Sequence, residues 1–178
     1  MPTFDETILL LQNAILGTRR WIDTPMYIHS VRVYEFLKTH GFSDDVQYAG
    51  LLHDIVEDGG YTFEQLKELW YSERTIELVD LATHDITLED PKEARMKMME
   101  RIVQREDKDA RAIKLADMCD NLTECHHCTL DSCQWQIFKK APLFLYYGNK
   151  FFGGTDFYSE FIEIYREQVR RYHQYFQQ

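Results

Sequence analysis

Leu51-Leu52-His53-Asp54-Ile55-Val56-Glu57-Asp58 sets one imidazole and three carboxylates into an otherwise apolar helical run. Tyr48, Leu51, Leu52, Ile55 and Val56 recur at helical spacing, Ser43 can cap the start, and Gly59-Gly60 breaks the end. On a helix, residues four apart lie one above the other. His53 is therefore predicted to stack on Glu57, and Asp54 on Asp58, in two touching rows. Carboxylates this close repel one another unless a positive charge sits among them. Neutral imidazole with carboxylate oxygen suits manganese, iron or zinc, so the block predicts one wall of a divalent-metal site.

One helix cannot surround an ion, so further ligands must come from elsewhere. His29 lies among the apolar positions Ile28 and Val31, which points it inward. Asp117 lies on a stripe made by Ile113, Ala116 and Leu122, and an aspartate buried there needs a partner. Asn121 is one turn further on and faces the same cavity. Each has a plainer reading: a histidine on an apolar face is often a hydrogen-bonded core residue, and Asp117 can pair with Lys114. Arg19, Arg20 and Lys114 are the basic side chains placed to hold an anionic substrate, with surface solubility an equal reading of the two arginines. A second His-Asp pair, His84-Asp85, follows Ala82-Thr83 near a helix end with no Glu-Asp pair after it, and reads as loop.

Outward from these positions the chain is helical throughout. Thr7 to Leu16 carries Ile8, Leu11, Ile15 and Leu16 on one stripe, stopped by Gly17. Thr24 reads as an N-cap with Pro25 in the first helical position, opening a helix that buries Ile28, Val31, Phe36 and Leu37 and ends at Gly41. Thr62-Phe63-Glu64-Gln65 is a capping box for a helix through Leu66, Leu69 and Trp70, and a short helix covers Ser72 to Ala82. Asp90-Pro91-Lys92-Glu93 is another, leading through Met96, Met99, Ile102 and Val103. Asp109 to Leu122 and Tyr158 to Phe176 complete the set. Strand-like alternation is absent, so the prediction is all-α. It is one compact domain over residues 1–178, with core motifs in 25–125 and a helical C-terminal extension over 130–178.

Composition narrows the partners. Twenty basic against 30 acidic residues give a net charge of −10, which argues against a nucleic-acid polymer but leaves a small phosphorylated substrate open beside a cation. No segment has the apolar length of a membrane span, and the first residues lack the pattern of a signal peptide, so a cytoplasmic location is expected. Cys119, Cys125, Cys128 and Cys133 then read as reduced thiols, ahead of a structural zinc at Cys125-His126-His127-Cys128. The aromatic last helix (Tyr158, Phe161, Tyr165, Tyr172, Tyr175, Phe176) packs on the core or forms a homodimer face, with the core favoured.

His29, then His53-Asp54 within an apolar helix, then Asp117, in that order, resembles the HD-domain metal-dependent phosphohydrolases. The likeness is greatest to hydrolase domains of the RelA/SpoT type, through Gly50 to Asp58, Leu78-Val79-Asp80-Leu81-Ala82-Thr83, and Ile113 to Asp117 with Asn121. The resemblance spans about residues 5 to 125. It implies that His29, His53, Asp54 and Asp117 bind a metal, manganese in that type. Glu57 and Asp58 then orient the attacking water and handle its proton, and Asn121 contacts substrate. The reaction it implies is removal of the 3′-pyrophosphate of guanosine tetra- or pentaphosphate. Before His29 the RelA/SpoT type carries a longer basic, glycine-containing loop used around the guanine base. Arg19 to Ser30 is shorter, which leaves an HD-type nucleotidase or phosphatase on another nucleotide as an alternative. A metal-binding sensor without catalysis is the third reading, and the intact Glu57-Asp58 pair speaks against it.

Overall fold

The computed structural model describes residues 1–19 and 23–176. Its elements are α1 (Phe4–Ala14), α2 (Tyr27–Thr39), α3 (Asp44–Leu52), α4 (Phe63–Glu68), α5 (Glu73–Ala82), α6 (Pro91–Arg105) and α7 (Lys108–Glu124). A 3₁₀ turn (Cys125–His127), α8 (Leu130–Gln134), a π-helical turn (Trp135–Lys140), α9 (Ala141–Phe152) and α10 (Asp156–Phe176) follow. The fold is all-α, as predicted, and among the described residues the sole β-like feature is an isolated bridge between Thr18 and Pro25.

Helix α7 runs through the middle, packed against α2, α3, α5, α6, α9 and α10. Every residue from Ala110 to Asp120 is buried, so α7 is enclosed on all sides rather than on one stripe. Its start is secured by Asp107, which accepts the amides of Asp109 and Ala110. Helix α3 lies close against α2 because residue 50 is glycine. A Cβ there would stand 2.4 Å from Leu37 Cδ1 and 3.2 Å from Val33 Cγ1. Leu51, Leu52 and Ile55 are fully buried, at roughly 1.5–3 kcal/mol of hydrophobic stabilisation each, and so hold the polar residues between them in place. Phe157, Tyr158, Phe161 and Tyr172 of α10 are buried in the chain's own core.

Several boundaries differ from expectation, each for a local reason. Thr24 does not cap α2: its carbonyl accepts from the Arg19 amide, Pro25 pairs with Thr18, and the helix starts at Tyr27. Leu16, past the end of α1 at Ala14, is 73% exposed instead of on the α1 stripe. The Thr62 and Gln65 capping box forms, but α4 stops before Leu69 and Trp70. Trp70 adopts φ 65°, with its amide on Lys67 O and the Tyr71 amide on Leu66 O, a Schellman closure. That turn puts Tyr71 into the core and Trp70 in solvent. At α6, Asp90 accepts the Lys92 amide above Pro91, while Glu93 pairs with Lys97. Regular α3 ends at Leu52, and residues 53–59 continue as turns.

Candidate functional site

His53 is the first residue past α3, still in helical conformation. Its Nδ1–H donates to Gly50 O at 2.7 Å, one turn back. That bond leaves Nε2 as a bare lone pair, fully buried and with no hydrogen-bond partner among the described residues. Nε2 faces Asp54 Oδ1 at 3.1 Å and Asp117 Oδ1 at 4.0 Å. These are contacts between acceptors, not hydrogen bonds, and burial holds the His53 imidazole below its ordinary pKa, in the neutral form.

His29, in the first turn of α2, brings its ring to 5.1 Å from that of His53. Its Nε2 lies 3.2 Å from Asp117 Oδ1 and 3.7 Å from Asp54 Oδ2, while Nδ1 meets Asp120 Oδ2 at 2.6 Å. Burial would lower its pKa, but Asp117, Asp120 and Asp54 outweigh that and raise it to about 9. The carboxylates thus demand a cation at this point, and a proton supplies it when nothing else does. His29, His53 and Asp54 offer ligand atoms all within 4.8 Å of one another, the arrangement a divalent metal needs. Asp117 stands beside them. Burial works against its charge, but Lys114, Lys140 and His29 hold its carboxyl well below the usual range. Lys114 Nζ is 2.7 Å from its Oδ2, and the Asn121 amide donates to its Oδ1. The orphaned Nε2, the raised His29 and the mixed imidazole–carboxylate donor set all fit a divalent ion.

Glu57 and Asp58 lie on the same rim. The turn after α3 sends Glu57 to the loop following α5, where its Oε1 accepts from the His84 amide at 2.7 Å and Oε2 meets His84 Nδ1 at 2.6 Å. The Asp54 and Asp58 pair keeps a helical bond, Asp58 N to Asp54 O at 2.8 Å. Desolvation raises Glu57 to about 7, against the pull of Lys114, and lowers His84. Asp58 is pushed up by desolvation and by the charge of Asp54.

These groups open on a cavity of about 620 Å³. It is also lined by the basic side chains Lys92, Arg95, Lys139 and Lys140, and by Trp135 with Lys92 Nζ 5.0 Å from its ring. The π-helical turn presents Trp135, Gln136, Lys139 and Lys140 on one side, as such turns often do at functional sites. Lys114 faces the carboxylates; burial lowers its pKa but Asp117, Glu57 and Asp54 raise it further. Arg19 reaches the cavity with its guanidinium already committed to Asp120, Asn121 and Glu124. Arg20 lies outside the described residues. All four cysteines are free thiols, and none joins a metal-ligating group among the described residues.

The site therefore brings together His29, His53, Asp54, Asp117, Glu57 and Asp58 as read from the sequence, and adds His84, Asp120 and the basic lining. His84 was legible as loop, but nothing local marks its pairing with Glu57, 27 residues away. For Asp120 a signal existed: in a helix buried on every side, a third acidic residue must also be inside.

Fold and cluster together define a helical metal-binding domain of the HD class. Residues 26–122, more than half of the chain, match the HD domain family, and the chain belongs to it. Among its relatives are guanosine-3′,5′-bis(diphosphate) 3′-pyrophosphohydrolases called MESH1. The Xenopus tropicalis protein is 35% identical over 108 residues, 60% of this chain and 59% of that protein. The Homo sapiens protein is 36% identical over 109 residues, with the same coverage of 60% and 59%. The chain thus spans under two thirds of the length of these curated relatives. A solved structure of a metazoan ortholog of SpoT that hydrolyzes ppGpp shares the fold at TM-score 0.71 and 23% identity, covering 94% of this chain and 97% of that one. A Listeria monocytogenes EGD-e crystal structure does so at TM-score 0.58 and 26% identity, covering 84% and 99%.

Proposed function

We propose that the chain is a metal-dependent phosphohydrolase that removes the 3′-pyrophosphate of guanosine tetra- or pentaphosphate, with manganese as its ion. The observation that carries this reading is the convergence of two buried imidazoles and Asp54 beside a carboxyl, Glu57, whose pKa is raised to about 7. Relatives of this chain are named for that reaction, which supports the substrate. His29, His53, Asp54 and Asp117 would hold the ion. When bound, a divalent ion supplies Lewis-acid polarisation of a phosphoryl oxygen and acidifies water.

The remaining work falls to the chain's own groups. Glu57 takes the proton of the water whose oxygen bonds to phosphorus, and His84 Nδ1, 2.6 Å from Glu57, relays it toward the 3′-oxygen released as the P–O3′ bond breaks. Asp58 orients the water from the rim. Lys92, Arg95, Lys139 and Lys140 neutralise phosphate oxygens away from the scissile bond, Lys114 keeps Asp117 ionised, and Trp135 offers a ring face to the base. Residues 1–178 act as one domain, because α7, the π-helical turn and α10 share one core. Free thiols support a reducing, cytoplasmic setting.

A second reading, an HD nucleotidase acting on another base, is favoured by one observation: the Arg19 guanidinium is spent on Asp120, Asn121 and Glu124 and is not offered to a base. A nucleotide panel with Mn²⁺, read for pyrophosphate and for orthophosphate, decides between the two. Pyrophosphate from guanosine tetraphosphate, abolished by Asp54→Ala, is the expected result. Orthophosphate from other nucleotides with no turnover of that substrate overturns the first reading in favour of the second.

A further inference from the structure

We infer that Asp120 is a positioning residue for the metal site, fixing the ring of His29 from behind. Asp117 and Asp120 are three apart on α7, so they project to the same side, and the His29 ring lies between them. Asp117 Oδ1 faces Nε2 at 3.2 Å, and Asp120 Oδ2 faces Nδ1 at 2.6 Å. An ionised carboxylate only accepts, so His29 Nδ1 must carry the hydrogen of that bond, and Nε2 is the nitrogen left to face Asp54 and Asp117. Carboxylate–histidine–metal relays of this kind set the tautomer and orientation of a ligating imidazole and raise its basicity.

Asp120 cannot itself be a ligand. Its Oδ1 accepts from Arg32 Nε at 2.5 Å, and its Oδ2 takes Arg19 Nη1 at 2.9 Å and Arg32 Nη2 at 3.3 Å besides His29. Its acceptor sites are filled by these donors. Glu124, one turn on, binds the same two guanidinium groups and so holds them against Asp120. The carboxylate is 8% exposed and tied to the loop before α2, to α2 and to α7 at once. His29 is thereby held by the arginine clamp as well as by its own helix. Arg19, a basic residue beside the cavity, thereby serves the site through Asp120.

The inference rests on the metal reading above but not on the identity of the substrate, and its test uses metal binding alone. Mn²⁺ titrated into chelator-stripped full-length protein should bind Asp120→Asn about 10–100-fold more weakly than the parent, with Asp120→Glu recovering part of the loss. A merely structural ion pair would lower the metal-free melting temperature and leave that affinity unchanged, and this outcome overturns the inference. Zn²⁺, as a diamagnetic probe, adds a readout on the unmodified chain that needs no variant to fold. In ¹⁵N ring spectra His29 should keep an Nδ1–H and bind through Nε2; coordination through Nδ1 overturns the inference. If the parent binds neither ion, the metal reading itself fails and this one with it.

Discussion

The two ends of α7 both gather carboxylates, and they differ in what faces each oxygen. At the N-terminal end, Asp107 and Asp109 meet Arg74, which also reaches Glu77, and Asp107 accepts two amides of its own helix. Donors there match acceptors, and the cluster is complete without any ligand. Three turns on, Asp117 and Asp120 also have donors, but the pairing runs out at one point. His53 Nε2 and Asp54 Oδ1 stand 3.1 Å apart with no hydrogen between them. Acidic clustering alone is therefore not what marks a site. An acceptor facing an acceptor, deep enough that solvent cannot separate them, is the mark.

Removing Asp54 tests that contrast with the largest effect. Asp54→Ala should abolish turnover and, more tellingly, the stabilisation that the ion confers. At a hundred times its dissociation constant, Mn²⁺ adds about 2.7 kcal/mol to a chain that binds it only when folded. That increment, read by denaturation with and without metal, should appear in the parent and in Arg74→Ala and vanish in Asp54→Ala. A full metal response in Asp54→Ala would mean that the facing acceptors are not where the ion binds.

Much of this was legible because the site's backbone sits in local pattern. The Leu51 to Asp58 block, the helical placement of His29 and Asp117, and the capping box at Thr62 are all short-range signals that the fold preserves. What was not legible depends on distance or on alternative turn chemistry. Thr24-Pro25 has the form of a helix start, but pairing across residues 17–26 consumes it. Trp70 occupies a left-handed position usually given to glycine, in a turn that carries Tyr71 into the core. The π-helical turn of Trp135 to Lys140 has no periodic signature of its own, so the basic lining stayed hidden. Regular α3 ends at Leu52, four residues short of Val56, and Glu57 pairs with His84 of the loop after α5, a contact no helical spacing announces.

Glu57 sharpens the comparison through pH. Its carboxyl is raised from 4.5 to about 7, chiefly by desolvation. The folded chain therefore binds this proton more tightly than the unfolded chain, and the associated stability is present below about pH 4.5 and lost as pH rises through 7. Metal-free Glu57→Gln should lack that decline, so the stability difference between parent and variant should fall with rising pH within this window and stay level outside it. If the chain is the proposed hydrolase, its metal-loaded turnover should rise with pH as Glu57 loses its proton, with a midpoint drawn below 7 by the nearby positive charge. Glu57→Gln should lose roughly 10²–10⁴ in rate, the range of a general base. A variant with the parent's pH–rate profile would remove Glu57 from the proton path.

The smallest effect belongs to the matched cluster, and it should be blind to metal. Arg74→Ala removes the guanidinium from Asp107, Asp109 and Glu77 while the two amide bonds that cap α7 remain. Arg74 is about one third exposed, so solvent screening limits the loss to about 1 kcal/mol at neutral pH. Burial alone would raise the Asp107 carboxyl, but Arg74 and the α7 amides hold it below its ordinary 3.8. A depressed carboxyl contributes stability above its unfolded pKa and loses it as pH falls through the folded value. The cost of Arg74→Ala should accordingly shrink below about pH 4, when Asp107 gains a proton in parent and variant alike. Urea denaturation at pH 7 and pH 3, with and without Mn²⁺, reads both dependences. A penalty that grew in acid, or that followed the metal, would show that the two ends of α7 are coupled and that the N-terminal cluster belongs to the site after all.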